Sequence, residues 1–303
     1  MKKALLVGIN RYPDPGNELK GCVNDVRMMD ETLRDRFGFR GNGDTRILTD
    51  ARATTKAILD GLAWLTDGAA AGDSLVFHYS GHGSQVPDRN GDEPDRLDEI
   101  LCPYDLDWAH PLTDDDLAKA CAGIPKGVLL TVILDCCHSG TGLREFSPTT
   151  SSVYSRFFGG SATACSCLPA TLVAPSSTLR PRFLPHPGAP HPAPSRPRRP
   201  ARRFGVSVTR TNSVLIAACR DDQTSADALI DGDYHGAHTY HLCRALREAL
   251  GGTPTYRDLV AATGAALSHA GFAQVPQLEG PAPLLSSHVF ENRFSSGAGR
   301  KAG

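Results

Sequence analysis

Hydrophobic positions along this chain change period several times, and each change marks an element. Ala4 to Ile9 is a continuous apolar run of strand length. Between Val23 and Phe37, apolar residues recur at Val23, Val26, Met29, Leu33 and Phe37, the three-to-four spacing of one helix face. Arg46 to Thr49 reads as a second strand. Thr54 to Leu65, with Ile58, Leu62 and Leu65 on one side, reads as a second helix capped by Thr54 or Thr55. Ser74 to Ser80 is a third strand, Asp114 to Ala120 a short helix opened by acids, and Val128 to Leu134 a fourth strand. Strands alternating with helices build βαβ units, hence an α/β fold whose parallel sheet is covered on both faces.

The pattern breaks from about Phe146 to Val208. Residues 181–200 contain eight prolines, which remove backbone donors and favour an extended, disordered chain. Order resumes at Ser213 to Ala218, a strand, followed by helices from Thr239 to Leu250 and from Tyr256 to about His269. About ninety residues with one convincing strand are too few for an independent core. Three regions are therefore expected: 1–145, a linker over 146–212, and 213–303, which completes the first sheet and ends in a flexible tail from about 293.

Composition sharpens this division. The net charge of −1 hides a segment, Ser147 to Asn212, with nine arginines and no acid. Such a segment could attract nucleic acid or an acidic surface, but it lacks the interleaved aromatics that stack on bases, so a solvated linker and no nucleic-acid partner are expected. No apolar stretch approaches the ~20 residues that span a bilayer. The apolar run behind Met1-Lys2-Lys3 is too short for a signal peptide. Nine cysteines without a repeated spacing argue against a secreted disulfide framework. A cytoplasmic protein without a membrane partner is the expectation; the oligomeric state is not written in the sequence.

Two glycine-flanked polar clusters follow the third and fourth strands: Ser80-Gly81-His82-Gly83 and Asp135-Cys136-Cys137-His138-Ser139-Gly140. In open α/β sheets ligands bind at this carboxyl edge. An imidazole brought beside a thiol can generate the attacking thiolate. Other readings remain open on the residues alone: a packed cysteine, a solvated histidine, a strained vicinal disulfide, or a zinc or redox site at Cys136 and Cys137, whose adjacency suits tetrahedral chelation poorly.

The blocks Gly21 to Asp25 (GCVND), His78 to Ser84 (HYSGHGS), Asp135 to Gly140 (DCCHSG), Ala217 to Ala226 (AACRDDQTSA) and Gly236 to Tyr240 (GAHTY) together resemble the metacaspase branch of the caspase-like cysteine peptidases, whose bacterial forms are called orthocaspases. The resemblance covers residues 3 to about 144 and 213 to about 280. It implies a caspase-like three-layer α-β-α sandwich with a six-stranded, mostly parallel sheet. Carried over by position, it implies His82 as general base and Cys137 as nucleophile, with the backbone N–H groups of Gly83 and Cys137 as oxyanion donors. It also implies an acidic specificity pocket of Asp25 and Asp135 lined by Cys22 and Ser80, so that cleavage of protein or peptide substrates follows Arg or Lys; two carboxylates favour such a cation on physical grounds. Strand alternation separates Asp135 and Cys137 from Cys136, and the resemblance alone says which sulfur reacts.

Calcium is the family's common activator, and the matching positions are Asp98, Asp114 and Asp115, oxygen ligands suited to a hard cation. The triple acid Asp114-Asp115-Asp116 also fits a helix start favoured by the macrodipole. The family often has an aspartate seven residues beyond the nucleophile, where this chain has Arg144, with Glu145 next to it. Asp88, Asp92, Glu93 and Asp95 read as a solvated acidic loop. His238 stands where the family usually has an aromatic residue or methionine. If the enzyme cuts after arginine, its own linker offers Arg156, Arg182, Arg203 and Arg210, whereas Arg180, Arg196 and Arg199 precede proline. The alternative expectation is a catalytically silent caspase-like domain used for binding or assembly.

Overall fold

The computed structural model describes residues 1–40, 43–88, 97–137, 179–187, 212–220, 223–249 and 252–292. In chain order its elements begin with β1 (Lys2–Gly8), α1 (Cys22–Phe37), β2 (Thr45–Thr49), α2 (Thr55–Thr66) and β3 (Ser74–Ser80). They continue with β4 (Gly83–Pro87), β5 (Leu97–Leu101), β6 (Leu112–Thr113), α3 (Asp114–Cys121), β7 (Leu129–Asp135) and β8 (Arg180–Pro181). The last are β9 (Ser213–Ala217), β10 (Ala226–Ile230), β11 (Asp233–Gly236), α4 (Ala237–Glu248), α5 (Tyr256–His269), β12 (Gln277–Glu279) and α6 (Ala282–Leu285).

Six strands form the main sheet in the order β12-β9-β7-β3-β1-β2. The pairings β1–β2, β1–β3, β3–β7 and β7–β9 are parallel, and β12 closes the edge antiparallel to β9. Alternation along β1 explains the layering. Leu5 and Val7 point into one apolar cluster with Ile58, Leu62 and Leu65 of α2 and Leu117 of α3. Ala4 and Leu6 point into another with Val26, Met29 and Leu33 of α1, Leu242 and Leu246 of α4 and Leu259 of α5. Both faces are thus covered, as a parallel sheet of continuous apolar strands requires. The six-stranded, mostly parallel three-layer architecture is the one expected.

Local chemistry sets the helix ends. Thr54 accepts from the Ala57 N–H to cap α2, and Thr255 does the same from Asp258 for α5. Gly38, at φ 67°, ends α1 with its N–H on the Leu33 carbonyl. Thr113 and Asp116 form a reciprocal capping box on α3, so one of the three acids there serves the helix itself.

The switch point matters most for function. The chain passes from β1 to β2 on one side and returns to β3 on the other, so the carboxyl ends of β1, β3 and β7 open a crevice at one edge. Two small antiparallel sheets flank it, β4-β5-β6 and β11-β10-β8. One correction to the linker follows: within the stretch expected to be disordered, residues 179–187 run through this crevice, and β8 pairs with β10.

Candidate active site

Arg182 lies at the centre of the crevice with its side chain wholly buried. A buried guanidinium must satisfy its charge and its fork of donors. Nη2 donates to Asp25 Oδ2 at 2.8 Å and to Asp227 Oδ1 at 3.0 Å. Nη1 donates to Ser80 Oγ at 2.7 Å and to the Asp135 carbonyl at 3.1 Å, and it stands 3.3 Å from Asp135 Oδ1. The carboxylates come from three elements: α1, β7 and β10.

Each acid is held from behind. Asp25 accepts the Gly236 N–H on both oxygens at 3.0 Å and the Ser80 hydroxyl at 2.7 Å, and it faces His235 Nδ1 at 3.3 Å. Asp135 accepts from Ser225 Oγ and from the Thr239 N–H and hydroxyl. Burial pushes the Asp135 carboxyl up, but the Arg182 guanidinium and these donors outweigh it and lower its pKa to about 2. Asp227 accepts the N–H groups of Lys20 and Gly21, both at 2.9 Å. Cys22, at the start of α1, is buried within electrostatic reach of the guanidinium. Gly236 leaves the floor open: a Cβ there would stand 2.3 Å from both Arg182 Nη1 and Asp135 Oδ2.

The backbone of the same arginine is held as firmly. Its N–H donates to the Ser225 carbonyl at 3.0 Å, continuing the β8–β10 pairing. Its carbonyl oxygen accepts from the Gly83 N–H at 3.0 Å and from the Cys137 N–H at 3.2 Å. Such paired backbone donors stabilise an oxyanion if the carbonyl is attacked.

His82 and Cys137 follow adjacent strands whose last residues, Ser80 and Asp135, are paired in register. The His82 ring is buried against Tyr12, with centroids 4.9 Å apart, and its backbone N–H donates to the Tyr12 hydroxyl. His82 Nε2 meets the Asn17 carbonyl at 2.8 Å. A carbonyl can only accept, so Nε2 carries the proton and Nδ1 is the basic nitrogen. Nδ1 is buried without a hydrogen-bond partner. Burial above all lowers the His82 pKa to about 4 while the arginine segment is in place. The Cys137 thiol lies against Ser225, accepting its N–H and donating to its carbonyl. Cys136 belongs to the apolar cluster on the α2 side of the sheet, the opposite sense to Cys137 that strand alternation requires.

The sequence reading missed Asp227. Its signal was an acid between Ala226 and Ala228, inside a strand that is otherwise apolar, where burial demands a partner. His238 is fully buried behind Asp135, and burial lowers its pKa. Asp98, Asp114 and Asp115 share one neighbourhood: burial first, then Asp115 and Asp98, raises the Asp114 pKa to about 6. Among the described residues, however, no group of three or more His, Cys, Asp or Glu is arranged to hold a metal ion. Arg144, Glu145, His138, Asp92, Glu93, Asp95, Arg156, Arg196, Arg199, Arg203 and Arg210 lie outside the described residues.

A family model described as "Metacaspase, peptidase C14 domain" matches residues 2–145. Metacaspase-1 of Schizosaccharomyces pombe is 33% identical over 295 residues, covering 93% of this chain and 68% of that protein. The chain belongs to the metacaspase family. Metacaspase-1 of Meyerozyma guilliermondii is also 33% identical, over 276 residues, and this chain spans only 62% of its length. A solved structure of protein GSU0716 from Geobacter sulfurreducens shares the fold, with a TM-score of 0.64 at 24% identity, covering 96% of this chain and 98% of that one. The metacaspase likeness of the relatives runs through both regions that flank the linker.

Proposed function

We propose that this metacaspase is a cysteine endopeptidase that cuts after Arg, and less well after Lys, and that the Arg182–Phe183 bond of its own linker is its first substrate. The observation that carries this reading is Arg182 itself, with its guanidinium among three carboxylates and its carbonyl oxygen on two backbone N–H groups. The planar fork engages several acceptors at once, which one ammonium does less well, hence the order Arg over Lys.

In this mechanism His82 Nδ1 takes the Cys137 thiol proton, and the Asn17 carbonyl keeps the ring oriented. The thiolate adds to the arginine carbonyl carbon, and the Gly83 and Cys137 N–H groups hold the developing oxyanion. Collapse breaks the C–N bond. His82 returns its proton to the leaving nitrogen, which in the first turnover belongs to Phe183, and water then hydrolyses the thioester. The arginine segment occupies the pocket until it is cut and displaced, so self-processing would precede turnover of other proteins.

Calcium stimulation rests on the family resemblance alone, because among the described residues Asp98, Asp114 and Asp115 are not arranged to hold a metal ion, and no step of the chemistry passes through one. A cytoplasmic location is likewise part of the proposal. Hydrolysis of Arg-, Lys- and Asp-ending fluorogenic peptides, with and without calcium, tests the reading. Arg-ending peptides should be cut fastest. No turnover of any peptide by the wild type would leave the silent binding domain as the better account.

A further inference from the structure

The chain beyond Arg182 is held as specifically as the chain before it. Phe183 bridges Gly83 in parallel register, and the Leu184 N–H donates to the Gly83 carbonyl at 3.0 Å. The Ser84 hydroxyl donates to the Leu184 carbonyl. The Leu184 side chain packs on the apolar cluster on which Trp108 also lies. Two residues further, the His186 ring meets Trp108 edge-on, with centroids 4.9 Å apart and planes at 79°. Pro185, between them, is exposed. An extended strand that presents alternate residues to an edge strand of a sheet is the geometry of strand addition. There backbone bonds give affinity and alternate side chains give selectivity.

We propose that Gly83, Ser84 and Trp108 form a primed-side subsite that takes an extended substrate strand and reads an apolar residue second, and an aromatic or imidazole ring fourth, beyond the cleaved bond. The proposal rests on the reading of Arg182–Phe183 as the scissile bond. Substrates chosen by this enzyme would then resemble its own linker, Arg-Phe-Leu-Pro-His, after the arginine as well as at it. Position four depends on one ring contact, worth about two- to tenfold in kcat/KM on the usual scale of an edge-to-face aromatic pair.

The test uses internally quenched peptides with one common sequence up to the arginine, followed by Phe-Leu-Pro-His, Phe-Leu-Pro-Ala or Phe-Ala-Pro-His. It adds an arginine-ending fluorogenic amide that has no residues after the bond. Full-length wild-type protein should cut the first peptide about two- to tenfold faster than the second, and faster than the third. In Trp108→Ala, the preference for the first peptide over the second should vanish. Equal rates on all three peptides by a wild type that hydrolyses the amide would overturn the subsite while leaving arginine cleavage intact. A preference for histidine that survives Trp108→Ala would also overturn it, because another contact would then read that position. Failure to hydrolyse the amide would instead remove the underlying reading.

Discussion

Asp227 Oδ1 accepts a hydrogen bond from Arg182 Nη2 at 3.0 Å, and the same carboxylate holds the backbone N–H groups of Lys20 and Gly21. One acid of β10 therefore joins the cation in the pocket to the loop that leads into α1. Asp227→Asn keeps the shape and one acceptor but removes the charge. A hydrogen bond to a charged group contributes roughly 1.5–3 kcal/mol, so kcat/KM for Arg substrates should fall about ten- to a hundredfold. Cleavage of a neutral citrulline analogue, already slow, should change little. Steady-state kinetics on the two substrates check this; equal losses on both would mean that Asp227 only supports the loop.

Gly236 tests whether the pocket must be this deep. A Cβ at that position would meet Arg182 Nη1 and Asp135 Oδ2 at 2.3 Å, and its φ of −68° is ordinary, so space rather than backbone strain is at issue. Gly236→Ala should remain folded by circular dichroism and lose turnover of Arg substrates by at least roughly tenfold. Unchanged kinetics would show that the arginine side chain does not reach this floor during catalysis.

Much of this architecture is legible along the chain, for identifiable reasons. Four of the six sheet strands, β1, β3, β7 and β9, are apolar runs, β2 shows only Ile47 and Leu48 between polar residues, and the two-residue period inside β1 sorts its side chains between the two cores. The sixth, β12, is three half-buried residues with two polar side chains, Gln277 and Glu279, and carries no period to read. The positions of Asp25, Ser80 and Asp135 follow from strand and helix ends together with the family resemblance. Arg182 could be named only as one of four candidate linker arginines, with Arg156, Arg203 and Arg210, none of which precedes a proline. Its burial depends on acids from α1, β7 and β10, which are distant in sequence and meet only in the fold.

Stability should depend on pH through buried histidines. Burial, only partly opposed by Asp25 and Asp135, lowers the His78 pKa to about 4, and burial likewise lowers that of His82 to about 4. The unfolded chain takes up these protons near pH 6.5, whereas the folded protein resists until about 4. Stability is therefore fully present above pH 6.5 and is lost as pH falls from there to about 4, by on the order of 3 kcal/mol for His78 alone. Asp135, lowered to about 2, works in the same direction but in a lower window: its contribution is present above pH 3.8 and is lost as pH falls from there to about 2. Thermal melting of Cys137→Ala, which stays uncut, should show Tm falling across that upper window, and adding His78→Gln should flatten the slope. A constant Tm from pH 6.5 to 4.5 would contradict the burial of these rings.

Lysine should be the poorer substrate. A single ammonium placed among Asp25, Asp135 and Asp227 cannot repeat the four hydrogen bonds that the guanidinium makes to Asp25, Asp227, Ser80 and the Asp135 carbonyl. With otherwise identical peptides, kcat/KM should favour Arg over Lys by about tenfold, with Asp-ending peptides not cut at a measurable rate. Competition between the Arg and Lys peptides in one reaction measures the ratio directly, and parity or a lysine preference would reject this account of the pocket.

The most direct test is to sequence the ends that the protein makes from itself. Purified wild type, incubated with calcium and examined by intact-mass and amino-terminal analysis, should yield a fragment ending at Arg182 and a new amino terminus at Phe183. Cys137→Ala and Arg182→Gln should each lack that terminus, while Cys136→Ala should retain it. A wild type that remains whole, a cut that survives Cys137→Ala, or a first cut at another arginine would contradict the assignment of Arg182 as the bound substrate and Cys137 as the attacking sulfur.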